Sequence, residues 1–402
     1  MPPRIDFLIA NTGHHLEAAQ PVAHELAGRG FECRLVSLCE LRGLQSPVAE
    51  TKSFGLGVHR LVPHTFRRSP SQPGGVATPA RNLRALPRAL FWHLYLAPRV
   101  RSWLNSNPDL VTVPNDAAFP YDRICVQLRR RRVRFLVLQE GIRFAETVFE
   151  DSEIVGQGLS GADAIACWGE TSAEFFRARD TPPDSIHLTG SPRFDRLQTT
   201  DWSAEAESLS KFLPPGRTTV TVLTNPIEVW GFCSRRGKME LLQNFINGLD
   251  PLFENGGLRV IFKIHRQESL RDYRALIASH PYSDHMIVWG EAPLYPLLEL
   301  SDAAIVLASS VGLEALLLGV PLGVLEIPGR GFLHDFVPGG AALGISASAP
   351  IAEQVSTLLR QDPRHNRSLA DYLDRTLSTR GRATQAVANL IAGLATPNQS
   401  TK

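Results

Sequence analysis

The sequence predicts an α/β protein built from two doubly wound, Rossmann-like domains. Three observations carry this. Short apolar runs of strand length alternate with helical stretches through most of the 402 residues. A polar break that ends in Leu213-Pro214-Pro215-Gly216 interrupts the alternation, after which it begins again. The stretch Asp302–Pro321 (DAAIVLASSVGLEALLLGVP) sets a buried strand against an apolar helix through two serines, and Gly319 and Pro321 stop the helix.

The first half opens with a strand at Ile5–Ala10 and a loop, Asn11-Thr12-Gly13-His14-His15. A helix from about Leu16 to Ala27 is closed by Gly28 and Gly30, and Phe31–Ser37 is the second strand. Further strands are expected at Asp109–Pro114, Phe135–Gln139 and Asp163–Trp168, with a helix over Tyr121–Arg131. Ser185–Thr189 leads into Gly190-Ser191-Pro192-Arg193-Phe194-Asp195. In the second half, strands are expected at Thr218–Leu223, Leu258–Ile264, Met286–Trp289, Ala303–Ala308 and Pro321–Ile327, and helices near Arg367–Leu377 and Arg382–Ala395 finish the chain. The domain reading is therefore 1–200, a linker over 201–217, a second domain over 218–380, and a terminal helix and tail over 381–402.

Composition narrows the function. With 43% apolar residues the chain can bury large cores. Five scattered cysteines show no zinc or disulfide spacing and fit a reducing compartment. No run approaches the ~18 apolar residues of a membrane span, and the N-terminus has no signal-peptide architecture, so a cytoplasmic protein is expected. The net charge of +2 hides an asymmetry: residues 60–134 hold fourteen arginines, no lysine and three aspartates, a local +11 that leaves −9 on the remainder. Such a block suits an anionic partner. Within it, residues 81–104 mix arginines with aromatics, a pattern that serves a peripheral contact at the inner face of a membrane or an ordinary helix with its aromatics inward. Nothing resembles a nucleic-acid-reading motif, so no nucleic-acid partner is expected.

Two loops attract chemistry. At the first strand's carboxyl end, Gly13 allows close backbone approach, and His14, His15 and Glu17 could reach a substrate; the alternative is helix capping with two solvated histidines. The G-x-G-x-x-G fingerprint of nicotinamide sites is missing. At Ser309-Ser310, two hydroxyls and free amides before a helix could form an anion cradle, with Glu314 four residues on; the alternative is an ordinary strand-to-helix turn.

These motifs resemble the GT-B glycosyltransferase superfamily. Ser309–Pro321 is similar to its donor-nucleotide motif, serines followed by E-A and G-x-P. Within it, Thr189–Asp195 (TGSPRFD) resembles the G-x-P-R-x-D motif of CDP-glycerol glycerophosphotransferases and capsule-polysaccharide transferases, and Phe262–Ser269 (FKIHRQES) their K-x-H-P segment. Nonhydrolysing UDP-N-acetylglucosamine 2-epimerases share the fold and part of the pattern. The chain departs from the glycerophosphotransferases at two places: Leu138-Gln139-Glu140-Gly141 stands where they carry W-H-G-T, and Arg266 replaces the proline of K-x-H-P.

The resemblance implies two domains facing across a cleft, the first on the acceptor side and the second binding a nucleotide-activated donor. Ser309, Ser310, Glu314, Gly312, Lys263 and Arg193 would hold that donor; Gly13 and His15 would meet the acceptor. Glu140 leads the candidates for the base that takes the acceptor's proton, with Glu17 and His14 behind it, and His265 joins them as a catalytic candidate. The implied activity is metal-independent transfer of a glycosyl or glycerophosphate-like group in glycoconjugate synthesis, with no further cofactor. The acceptor would be a glycan, a lipid-linked molecule or a small molecule. A UDP-sugar 2-epimerase, or a nucleotide-binding protein without catalysis, is the alternative.

Overall fold

The computed structural model describes residues 2–48, 51, 55–63, 88–144, 156–362 and 366–396. The Pro/Gly/Ser-rich stretch 65–80, the start of the arginine–aromatic stretch (81–87) and the tail beyond 396 lie outside these. The chain forms two compact units, residues 1–198 with 375–402, and residues 199–374.

The first unit is built on a seven-stranded, wholly parallel sheet: β1 (Arg4–Ile9), β2 (Glu32–Ser37), β3 (Gly57–Arg60), β4 (Leu110–Val113), β5 (Arg134–Leu138), β6 (Ala164–Cys167) and β7 (Ile186–Leu188). Their order is β3-β2-β1-β4-β5-β6-β7, so the winding reverses between β1 and β4. In open α/β sheets, ligands bind at the carboxyl edge of that reversal. β4 and β6 are buried throughout, as expected of strands covered on both faces. On one face Leu16, Val22, Ala23 and Leu26 of helix His14–Gly28 join Ile5, Phe7 and Ile9 in a core.

That core also contains Val387, Ala388, Ile391 and Ala395 of helix Ala383–Ala395. The chain's terminal helix is therefore an integral layer of the first unit. The Asp195 carboxylate accepts from the amides of Ala383 and Thr384 at 3.1 and 2.7 Å, satisfying two donors that a helix start leaves orphaned. Gly190 admits the returning chain: a Cβ there would lie 2.1 Å from the Ser378 carbonyl. Two positions of the TGSPRFD motif are thus structural.

The second unit has a six-stranded parallel sheet: β8 (Thr218–Leu223), β9 (Leu258–Lys263), β10 (Met286–Trp289), β11 (Ala303–Val306), β12 (Leu322–Leu325) and β13 (Leu343–Ile345). The order β10-β9-β8-β11-β12-β13 places the reversal between β8 and β11. Residues 201–217, read from the sequence as a linker, contain helix Ser203–Ser210, which buries Ala206 and packs on helix Leu294–Glu299. β3, β7 and β13 were not foreseen as strands; they are edge strands whose residues are mostly half-buried or exposed, so no continuous apolar run marks them.

The arginine–aromatic stretch resolves on its described part. Arg88–Phe91, a π-helical turn at Trp92–Leu96 and helix Ala97–Leu104 follow one another. Pro98 directly follows the π-helical turn inside this helical run, where the changed hydrogen-bonding pattern accommodates a residue without an N–H. Trp92, Leu96, Val100 and Trp103 enter the core, and Trp103 Nε1 donates to Asp6 Oδ2 at 2.6 Å. Burying such side chains contributes roughly 1.5–3 kcal/mol each, so both tryptophans belong to the fold. Leu90 and Leu94 stay exposed. Among the described residues no helix is long and apolar enough to cross a membrane.

Candidate functional site

At the reversal of the first sheet, a narrow crevice is lined by His14, His15, Thr112, Pro114, Gln139, Glu140, Gly141, Trp168, Ser191 and Arg193, among others. Asn11 shapes its entrance: its side-chain oxygen accepts from the Gly13 amide at 2.7 Å and turns the chain into the helix. His14 and His15 are the first two residues of that helix, and they face different surroundings.

His15 is buried. Its Nδ1 accepts from the Ala10 amide at 3.0 Å, which puts the ring's proton on Nε2, and Nε2 lies 2.9 Å from Glu140 Oε1. Nδ1 is engaged with the protein, while the buried Nε2, close to Glu140, has no hydrogen-bond partner among the described residues. Glu17, read as a candidate base, is ion-paired: one oxygen meets Arg193 Nε and the other Arg196 Nη2, each at 2.9 Å. Arg193, expected to hold the donor, is a buried member of this first-unit crevice.

Glu140 is aimed by its neighbour. Gln139 is buried, donates to the Gly141 carbonyl at 2.9 Å and to Ser172 Oγ at 2.8 Å, and accepts from the Trp168 amide at 2.9 Å. Trp168 Nε1 returns a bond to the Gln139 carbonyl at 3.0 Å. With the strand end so tied, and Gly141 turning at φ +74°, Glu140 projects into the crevice.

Burial alone would raise the Glu140 pKa. The polar His15 ring beside it, then Arg42 and His14, outweigh burial and bring it down to about 2. Glu140 is therefore a weak base, ionised at neutral pH. His14 lies on the rim. Desolvation first and the Arg193 charge second lower its pKa to about 4, against the pull of Glu140 and Glu17; water on the ring's open side works against the first cause. His14 is neutral at pH 7 and is a stronger base than Glu140.

The reversal of the second sheet is built differently. Asn225, just past β8, donates through Nδ2 to the Ala308 carbonyl at 2.7 Å and accepts from the Ala308 amide at 3.4 Å. This clamp joins the two strand ends where the winding reverses and sets Ser309 and Ser310 beside it, both half-buried. Ser309 Oγ accepts from the Val311 amide at 3.3 Å and Ser310 is the N-cap of helix Val311–Leu317. Glu314 is 0% exposed, so a ribose could meet it only if the side chains above it moved. Gly312 has a packing reason: a Cβ would lie 2.9 Å from Leu322 Cδ2 and from Phe336 Cε2.

Lys263 Nζ donates to the Gly290 carbonyl at 2.6 Å, and burial lowers its pKa. His265 Nδ1 accepts from the Gln267 amide at 3.2 Å, which leaves Nε2–H as a donor; burial lowers the ring's pKa too. Beneath them lies a buried ion pair invisible in the sequence. Lys238 Nζ donates to Glu268 Oε1, to Glu228 Oε2 at 2.9 Å and to the Asn225 carbonyl at 2.9 Å. Glu268 also accepts from Tyr273 Oη and Thr224 Oγ1, each at 2.6 Å. Only a lone cation on the apolar side of its helix, one turn before Leu242, could have signalled Lys238. Among the described residues no group of three or more His, Cys, Asp or Glu could hold a metal ion.

No protein-family model and no curated protein matches the chain. Solved structures match it along its whole length. A UDP-GlcNAc 2-epimerase from Neisseria meningitidis bound to UDP-GlcNAc aligns with a TM-score of 0.62 at 14% identity, over 98% of this chain and 100% of that one. A Methanocaldococcus jannaschii UDP-GlcNAc 2-epimerase in complex with UDP-GlcNAc and UDP gives 0.63 at 12% identity, over 98% and 100%. A glycosyltransferase from Rickettsia africae gives 0.59 at 11% identity, over 100% of both chains. At these identities the likeness is one of fold, and the fold is GT-B-like.

Proposed function

We propose that the protein is an enzyme acting on a nucleotide-activated sugar, and that it transfers the glycosyl group to an acceptor hydroxyl. The observation that carries this reading is the difference between the two reversal points. One presents an ionised carboxylate and a neutral imidazole, Glu140 and His14, and the other hydroxyls and strand ends suited to phosphate oxygens, Ser309 and Ser310. Structures of like fold that hold UDP or UDP-GlcNAc support a uridine nucleotide as the donor's carrier. Lys263 and the Nε2–H of His265 supply cationic and hydrogen-bond donors for the departing phosphate. The glycerophosphate variant gains no comparable support.

A second reading, a UDP-sugar 2-epimerase, is favoured by the epimerases among those structures. One incubation separates the two. UDP-GlcNAc with the protein alone, followed by NMR of the sugar ring protons, yields no isomerised sugar if the enzyme is a transferase. Isomerisation at the second carbon without any acceptor establishes the epimerase. Shifts in melting temperature across UDP, CDP, CMP, GDP and TDP identify the base, since a ligand that binds only the native state stabilises it.

A further inference from the structure

Alternate residues of β1 divide between two cores, one on each face of the first sheet: Ile5, Phe7 and Ile9 in one, Leu8 and Ala10 in the other. The second core takes Trp92, Leu96, Val100 and Trp103 from the helical run 88–104, and Ile124, Cys125 and Leu128 from helix Tyr121–Arg130. The two helices lie side by side. Phe91 meets Phe119 edge-on at 6.4 Å near their starts, and Arg131 donates to Asn105 Oδ1 at 2.7 Å near their ends. With their inner sides on one face of the sheet, their outer sides look the same way.

That outer surface is apolar at several points. Leu94 is 69% exposed, and Leu90, one turn earlier, and Val126, on the second helix, are exposed as well. Leu159, 55% exposed, stands with Val126 and Arg129 around one shallow depression. Among the described residues of the first unit, only one other large apolar side chain is exposed, Leu188 on β7. Arginines surround these points: Arg88, Arg101, Arg123, Arg129 and Arg130 are exposed on the same two helices. Of the five, only Arg123 pairs with a carboxylate among the described residues, Asp122 at 3.3 Å. The depression's other acid, Asp116, is buried and accepts from the Gly158 amide at 3.0 Å. All five belong to the block 60–134, which holds fourteen arginines and no lysine. The guanidinium fork suits phosphate oxygens.

We propose that this helical layer docks on the surface of a bilayer that contains anionic phospholipid. The arginines meet headgroup phosphates, and Leu90, Leu94, Val126 and Leu159 enter the interface between them. Two other occupants suit the surface less well. Single-stranded nucleic acid stacks its bases on exposed aromatics, and here Trp92 and Trp103 are buried. A second copy related by a twofold axis would set this positive face against itself. The proposal does not depend on the transferase reading.

The test is co-sedimentation of the 402-residue chain with vesicles of phosphatidylcholine, alone or with about one part in three of phosphatidylglycerol. Binding to the mixed vesicles should be at least about tenfold tighter than to the neutral ones, and should weaken as salt rises from ~0.05 to ~0.5 M. Leu90→Ser with Leu94→Ser is expected to weaken it about tenfold, and Arg101→Gln with Arg130→Gln roughly tenfold or more. Phe212→Ser, which removes an exposed aromatic from the second unit, should change nothing. If the double leucine variant fails to fold, Leu94→Ser alone, expected to lose about threefold, takes its place.

No binding to the mixed vesicles, equal binding to both kinds, or indifference to salt would overturn the proposal. So would leucine variants that bind as the wild type does, or a Phe212→Ser loss as large as theirs. Tighter binding to poly(U) or to a DNA duplex than to the mixed vesicles would also overturn it, as would a dimer in sedimentation velocity that the leucine changes dissolve.

Discussion

The two sheets place their crevices by one rule and furnish them by different ones. Each reverses its winding at the strand where it begins, β1 in the first unit and β8 in the second, and each collects its polar residues at that carboxyl edge. In the first, titratable side chains gather there: His14, Glu140 and Arg193 line the crevice, and Glu17 pairs with Arg193. In the second, the charges have sunk beneath the surface as the Lys238–Glu268 pair, and hydroxyls and main-chain groups face outward. Topology decides where a ligand can bind; the side chains set into that place decide whether protons can move there.

The contrast can be broken most forcefully from below. Lys238→Met removes one member of a pair whose side chains are 3% and 2% exposed, leaving Glu268 as an uncompensated buried charge. We expect urea denaturation to show a loss of about 3–5 kcal/mol in the second unit. A loss under about 1 kcal/mol would mean that the pair is not a structural floor, since exposed pairs are worth no more than that.

Next in size is His14→Ala. Removing a neutral imidazole from the first-unit crevice should lower turnover roughly 100-fold or more if it is the catalytic base, while UDP binding, followed by calorimetry, stays where it was. An equal loss of UDP affinity would show that the two crevices do not divide the work as described.

Acid should discriminate between the units as well. His14 and Glu140 both have folded pKa values below their ordinary ones, at about 4 and about 2. As pH falls from the ordinary histidine value toward about 4, the unfolded chain takes a proton that native His14 refuses. Below the ordinary carboxylate value the same holds for Glu140, down to about 2. Stability is therefore lost as pH falls through both windows. The Glu140 part is on the order of 2 kcal/mol after allowance for its partial exposure. Thermal melts that follow the first unit in Glu140→Gln should lose that lower window; an unchanged acid profile would show that Glu140 is not held ionised by its surroundings.

The smallest effect is expected at the serines. Ser309→Ala with Ser310→Ala takes away two neutral hydrogen-bonding groups, so UDP affinity should fall about tenfold. The His14 and Glu140 titrations should not move. A nucleotide that binds the double variant as tightly as the wild type would place the donor elsewhere.

How far the sequence reached differs between scaffold and site. Apolar runs of strand length announced β1, β2, β4, β5, β6 and all of the second sheet except β13, because a strand buried on both faces is written as a continuous apolar run. The ends of those runs marked the loops that hold His14, Glu140, His265 and Ser309, since ligand edges follow from βα alternation. Contacts were another matter. That His15 turns inward to Glu140 and that Glu17 is taken up by Arg193 and Arg196 depend on loops far apart in sequence arriving at one point. The same is true of Lys238 under Asn225 and of the last helix returning to pack on helix His14–Gly28. Helical and strand periods are local and survive in the sequence; which surface a helix covers and which carboxylate an imidazole meets are settled only when the chain closes on itself. The sequence by itself determined the fold class and the strand ends that carry polar groups. The tertiary structure decided which of those groups remain free to act.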